Sequence, residues 1–279
     1  GQTGLAVSQP ITLSNCTSLT ITGKAANQSS AISFAETGVA INNTIGQAVG
    51  QTTAGNISIT GYSSSYGNSN GVNIASAVST GSGNITLIGQ RLAGGNGAAF
   101  KSSANITSTT GSITIQGIGG SVSQNSGTIS GANITIDNTG AGLISLISDN
   151  TGGPNLSVGT SMGGSINGSG VITAGSGVNV WANAVTASGT LTTPGNLNIQ
   201  GNVSTSSYSG VSISGTGVVT ATGTNSNNNI GANYNLINAG AVSTTGTSSA
   251  ISLRSSLGNV NGAGTIAGGG LSITIDSAT

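Results

Sequence analysis

The chain has very few residues that carry chemistry. Of its 279 residues, none is His, one is Cys, four are Lys or Arg and four are Asp or Glu. Without His there is neither a Cys/His zinc site nor the usual base for a serine nucleophile. Four scattered cations cannot neutralise a row of phosphates, so we expect no nucleic-acid partner. The single Cys16 excludes an intrachain disulfide; we expect it to be a small buried residue, with an intermolecular disulfide as the alternative.

Long apolar runs are also missing. No run approaches the roughly 18 apolar residues of a membrane-spanning helix, so we expect no membrane span. Glycine, by contrast, is abundant, with 49 residues. Glycine-rich disorder requires few aliphatic residues and a high net charge, whereas here the net charge is zero and hydrophobic residues make up 35%. The composition therefore predicts an ordered β protein with a narrow core.

The repeating unit is clearest over residues 71–89, GVNIASAVSTGSGNITLIG, which predicts three short strands. Related segments open at Gly55 (GNISIT), Gly83 (GNITLI) and Gly111 (GSITIQ), in two successive steps of 28. The tetrapeptide ANIT at 104–107 and 132–135 gives another step of 28. A fixed period of this length, built from short strands, is typical of a solenoid.

The repeats predict an all-β, parallel β-helix (β-solenoid) of roughly 10 to 14 rungs. Alternation places Ile57 and Ile59 inward and Ser58 outward, and likewise places Thr86, Thr114 and Thr135 outward. Equivalent outward residues then stack from rung to rung, where hydroxyl and amide ladders can bond but like charges would repel. This gives a physical reason for the scarcity of charge.

We predict one solenoid domain over residues 1–279, with an optional sub-boundary near 149–154, where the sequence DNTGGP is rich in turn residues. The polar segment 223–229 (GTNSNNN) predicts a protruding loop. Strand centres are expected near Ile57, Val72, Ile85, Phe100, Ile113, Ile134, Ile144, Leu156, Ile166, Val171, Val178, Leu197, Val211, Val218, Leu236, Ile251, Ile266 and Ile273.

We find no convincing catalytic motif. G-x-S-x-G occurs around Ser69 and Ser161, but neither serine has a histidine base, and such matches arise by chance in this composition. Asp137 and Asp149 each begin a D-N-T-G string, which predicts a turn. The alternative is a single calcium site at one of these aspartates. We therefore predict no catalytic, cofactor-binding or metal-binding residues, no cofactor and no enzymatic activity.

Two further groups of residues are open to a binding role. Tyr62 and Tyr66 are expected in one loop and are candidates to stack on a sugar; exposed tyrosines without a ligand are the alternative. N-x-S/T sequons occur at about the frequency that chance predicts and carry no signal of their own. They include Asn15, Asn56, Asn84, Asn105, Asn133 and Asn202.

One sequence pattern consists of G-N-I-T-L, a Gly-rich turn, then G-V-x-I and A-V-S-T. This pattern resembles the repeats of large bacterial exported adhesins, namely filamentous haemagglutinin-like exoproteins of two-partner secretion and related autotransporter passengers. The resemblance is clearest over residues 55–147 and fainter over 156–279. It implies a right-handed parallel β-helix, export to the cell surface and a role in adhesion or matrix. There is no N-P-N-type signature of the secretion domain, so the resemblance extends only to a repetitive shaft.

The expected function is therefore a non-enzymatic extracellular structural or adhesive β-solenoid, a shaft or fibre-forming subunit at the cell surface. Its partners would be further copies joined end to end through uncapped ends, or cell-surface and glycan ligands. The alternative is an ice-binding solenoid that presents outward threonines such as Thr20, Thr22 and Thr86. A polysaccharide-active β-helix that uses Asp137 or Asp149 is a third, weaker hypothesis.

Overall fold

A computed structural model of the chain describes residues 3–25, 36–48, 55–63, 69–91, 98–138, 143–150, 155–160, 165–202, 209–270 and 272–277. The chain forms two compact units, Gly1–Ser145 (unit 1) and Leu146–Thr279 (unit 2). The division lies a few residues before the predicted sub-boundary at 149–154, and the single-domain organisation stays a prediction.

All regular structure in the described residues is β-strand, and none of it is a helix that could cross a membrane. In chain order the strands are β1 (Thr3–Val7), β2 (Ile11–Leu13), β3 (Ser18–Lys24), β4 (Thr37–Ile41), β5 (Ile45–Gln47), β6 (Asn56–Ser63), β7 (Asn70–Ile74), β8 (Val78–Thr80), β9 (Ile85–Arg91), β10 (Ala98–Ser102), β11 (Ile106–Ser108), β12 (Ile113–Ile118), β13 (Ser121–Gln124), β14 (Ile129–Ser130), β15 (Asn133–Asn138), β16 (Leu143–Asn150), β17 (Asn155–Thr160), β18 (Ser165–Ala174), β19 (Gly177–Ala182), β20 (Ala184–Ala187), β21 (Thr190–Thr193), β22 (Asn196–Gly201), β23 (Ser209–Ile213), β24 (Val218–Ala221), β25 (Asn228–Ala232), β26 (Asn235–Asn238), β27 (Ala241–Thr244), β28 (Ala250–Ser255), β29 (Val260–Asn261), β30 (Thr265–Gly268) and β31 (Ser272–Asp276).

Unit 1 is a coil of three strands per turn. The first strand of each turn pairs in parallel with the first strand of the next, and the same holds for the second and third positions. The third position, for example, runs through β3, β6, β9, β12 and β15. Three parallel ladders around one interior make a parallel β-helix, as the repeats predict.

Unit 2 has the same organisation in its described residues. Its strand β18 is ten residues long and occupies two positions, pairing with β20 along its first half and with β21 along its second. The third position runs through β17, β19, β22, β25, β28 and β31. Counted by third-position strands in the described residues, the units have five and six rungs, a sum within the predicted 10 to 14.

The interior of unit 1 consists of aliphatic columns. Ile57, Ile85 and Ile113 stack in one column, and each is at most 1% exposed. The residues between them, such as Ser58 and Thr86, face outward, as predicted from the alternation. Burying each such aliphatic side chain stabilises the fold by about 1.5–3 kcal/mol, so the columns are the main source of stability.

The recurrent Gly-Asn pair at the start of third-position strands has a structural explanation. The backbone N–H of Asn84 donates to Asn56 Oδ1 at 2.8 Å, and the N–H of Ser112 donates to Asn84 Oδ1 at 2.8 Å. A Cβ on Gly83 would collide with the carbonyl oxygen of Gly55 one rung away. Glycine therefore lets the corners stack closely, while asparagine bonds each rung to the next.

Every predicted strand centre, from Ile57 to Ile273, lies in an observed strand. The two ANIT tetrapeptides at 104–107 and 132–135, however, do not occupy equivalent positions of the coil, so the step of 28 between them is not a rung. Ile106 pairs with Ile129 in the second position, whereas Ile134 pairs with Ile113 in the third. The rung from Ile113 to Ile134 is shorter than the preceding rung from Ile85 to Ile113, so the two tetrapeptides occupy different sides of the coil.

The loop predicted at 223–229 is wrong in its last two residues. Strand β25 begins at Asn228, which pairs with Leu197 and Ile251 and is fully buried in their column. Its Nδ2 donates to the carbonyl oxygen of Ser243 at 2.6 Å, which offsets part of the cost of burying an amide. The preceding Ser226 is also buried. The polar sequence of this segment predicts a loop, although Asn228 is an inward-facing strand residue.

Close stacking predicts that Gly89→Ala is strongly destabilising. A Cβ on Gly89 would collide with the backbone carbonyl of Ala99, which cannot move without shifting β10. We expect the free energy of unfolding, measured by urea denaturation, to fall by about 2 kcal/mol or more. Gly46→Ala is the control in the same unit, because its Cβ would meet only the rotatable Ser79 hydroxyl, at 3.0 Å. Equal urea midpoints for the two variants would contradict this account of the stacking.

Candidate functional site

The outer face of the third-position strands in unit 2 carries two adjacent rows of outward side chains. The parallel register brings together residues that are far apart in sequence. One row, the amide row, contains Ser157, Asn179, Asn198, Asn229, Ser252 and Thr274. The other, the tryptophan row, contains Gly159, Trp181, Gln200, Gly231, Arg254 and Asp276.

Trp181 is the chain's only tryptophan, and it faces solvent. Alternation along β19 buries Val180 and Ala182 and turns Trp181 outward, leaving it 42% exposed. Its neighbours in the row are Gly159, which has no side chain, and Gln200. The indole is therefore a large, partly uncovered aromatic surface set among polar groups.

The amide row is a hydrogen-bonded ladder. Asn198 Nδ2 donates to Asn179 Oδ1 at 2.9 Å, and Asn229 Nδ2 donates to Asn198 Oδ1 at 2.9 Å. Each amide has two N–H donors and an oxygen with two lone pairs, so a bond to each neighbour leaves capacity on the solvent side. The ladder fixes the orientation of three amides and still presents donors and acceptors outward.

A groove of about 410 Å³ lies over these two rows. Trp181 and Arg254 line it together with Gln200 and Asn229. Gly231 sits between Gln200 and Arg254 in the tryptophan row and contributes no side chain, so the row has a notch at that rung. A second depression of about 440 Å³ continues past Arg254 to Asp276.

The charges on this face form a neutral pair. Arg254 Nη2 lies 3.3 Å from Asp276 Oδ2, and the two side chains are 68% and 57% exposed. At this exposure an ion pair contributes little to stability. Arg254 is also the only Lys or Arg after residue 145. The other three cations lie in unit 1, where burial lowers the pKa of Arg91 from its usual value.

The serines and acids singled out in the sequence do not form a site. Ser69 is fully buried, and its Oγ accepts a hydrogen bond from the backbone N–H of Glu36 at 3.4 Å. Ser161 lies outside the described residues. Asp137 lies within β15 and Asp149 within β16, so the turns predicted at these aspartates are wrong for the residues themselves. No group of three metal-ligating side chains occurs among the described residues.

The structure also places the candidate tyrosines, the single cysteine and the outward hydroxyl residues. Tyr62 lies in β6, not in a loop, and is 37% exposed; Tyr66 falls outside the described residues. Cys16 is half-buried, not buried, and its thiol donates to the carbonyl oxygen of Ser18 at 2.9 Å. The predicted outward hydroxyls of unit 1 align in one row, the hydroxyl row: Thr20, Ser58, Thr86, Thr114 and Thr135.

Sequence reasoning did not identify the face around Trp181. Its members lie at irregular intervals, because the rung from Asn198 to Asn229 is much longer than the rung from Asn179 to Asn198. The available signal was the V-x-V-W-A alternation of β19, which places the single Trp opposite buried valines.

Comparisons with protein-family models, with curated proteins and with solved structures found no match to this chain. The role of the Trp181 face is therefore inferred from its own geometry.

Proposed function

We propose that this protein is a non-enzymatic, extracellular β-solenoid that serves as a structural and adhesive shaft at a cell surface. The observation that carries the proposal is the in-register stacking of uncharged outward rows, above all the asparagine ladder through Asn198. Such rows present the same chemistry on successive rungs, which suits repeated weak contacts with an extended surface.

The composition supports a structural role. The stability of each unit comes from aliphatic columns and rung-to-rung hydrogen bonds, neither of which depends on a cofactor or on charge. The chain has no histidine and four acids, and the two acids proposed for catalysis, Asp137 and Asp149, lie in separate strands, β15 and β16. These features favour a scaffold over an enzyme.

The exposed isoleucines of β31 favour association of copies along the coil. Ile273 and Ile275 of β31 continue the interior columns of Ile251 and Leu253 but are 48% and 55% exposed. The segment SITI of β31 has the same alternation as SLTI at the start of β3. A second copy could therefore pair a strand of this pattern in parallel with β31 and cover the two isoleucines.

Adhesion is tested with fluorescently labelled protein on intact bacterial and animal cells. We expect saturable binding that unlabelled protein displaces. A labelled globular protein of similar mass and net charge is the control. Binding no greater than that of the control on every surface would count against an adhesive role.

Association is tested by sedimentation velocity at increasing protein concentration. We expect elongated oligomers that grow with concentration, and we expect the double variant Ile273→Asp, Ile275→Asp to remain monomeric because two carboxylates would be buried in the joint. Thr274→Ser in the same strand is the control and should associate like the unchanged protein. A monomer at all concentrations would contradict fibre formation.

A second candidate function is ice binding, which the hydroxyl row favours. Five Ser and Thr side chains repeat along it at about 4.8 Å, the spacing of stacked strands. The neighbouring outward row is less regular, with Ile88 and Gln116 following Thr22 and Thr60.

Thermal hysteresis of the purified protein tests this candidate. If unit 1 binds ice, we expect a measurable hysteresis gap that Thr86→Arg abolishes, because a long charged side chain interrupts the row at its centre. Trp181→Ala, in unit 2, should leave the gap unchanged. A protein without hysteresis leaves the adhesive shaft as the sole proposal.

A further inference from the structure

We propose that the Trp181 face of unit 2 binds an uncharged oligosaccharide that lies across the strands, with one sugar ring stacked on the Trp181 indole. This inference rests on the proposed adhesive function and names the ligand class of its contact surface. It is argued from four properties of the face: an exposed aromatic ring, oriented amides, a notch of suitable length, and zero net charge.

The aromatic ring is placed as a stacking platform. Trp181 projects from the middle of a sheet face and is 42% exposed, while the residues next to it in the rows are polar or glycine. Leaving much of an indole in water forfeits the free energy that its burial would provide. The apolar C–H face of a pyranose ring is a flat partner that can cover it.

The amides supply the polar half of carbohydrate recognition. A sugar hydroxyl both donates and accepts, and so does a carboxamide. The ladder through Asn198 and Asn229 holds two such groups in fixed orientation beside the indole. Gln200 is similarly restrained, since its Nε2 donates to Asn202 Oδ1 at 3.1 Å. Because these side chains are already ordered, a ligand would lose little entropy in ordering them.

The notch gives the site its length. From Trp181 to Arg254 the tryptophan row advances three rungs, about 14 Å at the usual spacing of paired strands. Gly231 leaves the row open between Gln200 and Arg254, and the groove of about 410 Å³ follows this line. A chain of several sugar rings fits that span, with one end on the indole and the other beside the guanidinium.

The charge of the face favours an uncharged ligand. Arg254 is already neutralised by Asp276 at 3.3 Å, and the remaining polar groups of the two rows are amides and hydroxyls. An acidic glycan would gain from the guanidinium but would be repelled by the adjacent carboxylate. Strands β19, β22, β25 and β28 are each paired on both sides, so a peptide cannot bind here by adding a strand.

The single tryptophan makes the test direct, because intrinsic tryptophan fluorescence reports only this site. The full chain is titrated with neutral hexasaccharides of glucose, N-acetylglucosamine, mannose and galactose, and with a galacturonate hexasaccharide as the acidic probe. We expect a saturable change in emission with at least one neutral probe and weaker or no binding of the acidic one. Preference for galacturonate, or no response to any neutral probe, overturns the inference.

Variants then locate the binding, with calorimetry as the readout. Trp181→Ala should weaken affinity for the active probe at least about tenfold. Gly231→Ala should weaken it as well, because its Cβ would fill the notch and displace the end of the Gln200 side chain; the atoms nearest this Cβ are all from that side chain and none from the backbone, so the fold is retained. Tyr62→Ala removes a comparably exposed aromatic from unit 1 and is the matched control. Equal losses for Tyr62→Ala and Trp181→Ala overturn the assignment.

The labelled-protein assay on cells separates this inference from the proposed function. If Trp181→Ala attaches to cells as well as the unchanged protein does, adhesion stands and its assignment to this face is overturned. If neither protein attaches, the adhesive function itself is overturned, whatever the hexasaccharides show.

Discussion

The parallel, in-register stacking of rungs is the constraint on which both units depend. Each residue of a third-position strand lies about 4.8 Å from its equivalents one rung above and below. Each side chain must therefore be compatible with the equivalent side chains that stack on it. Ile57, Ile85 and Ile113 are compatible because identical aliphatic side chains pack well on one another. Identical charges at that distance would repel. The unusual composition is thus a consequence of the geometry.

The same constraint explains why asparagine serves two purposes. At the start of the third-position strands it faces the next rung, and Asn56 Oδ1 and Asn84 Oδ1 accept backbone N–H groups that the corner would otherwise leave without partners. In the middle of the strands of unit 2 it faces outward, and Asn179, Asn198 and Asn229 bond to one another. A carboxamide can do both because it is its own complement, donating at one atom and accepting at the other.

How far the sequence predicts this structure depends on whether a feature is local. The alternation around Ile57 or Ile85 is local, and the predicted strand centres and inward faces are correct. The length of a rung, by contrast, cannot be predicted from a local pattern. The loops between strands differ widely in their number of residues, and the register is set by pairing with a segment that is distant in sequence. This is why 104–107 and 132–135 appear equivalent in sequence but lie on different sides of the coil. It is also why Asn228, in a polar run, turns out to occupy an aliphatic column.

The candidate site depends entirely on long-range register and not on a local sequence pattern. Trp181, Gln200 and Arg254 are far apart and unevenly spaced in the sequence, and only the pairing of β19, β22, β25 and β28 places them in one row. A solenoid can lengthen or shorten its loops without disturbing such a row, because the interior columns fix the register independently of loop length. The outward rows are then free to change residue by residue while the core stays the same. In the proposed oligosaccharide site, specificity therefore resides in the choice of outward side chain at each rung, with Trp181 as the aromatic beside the amide row.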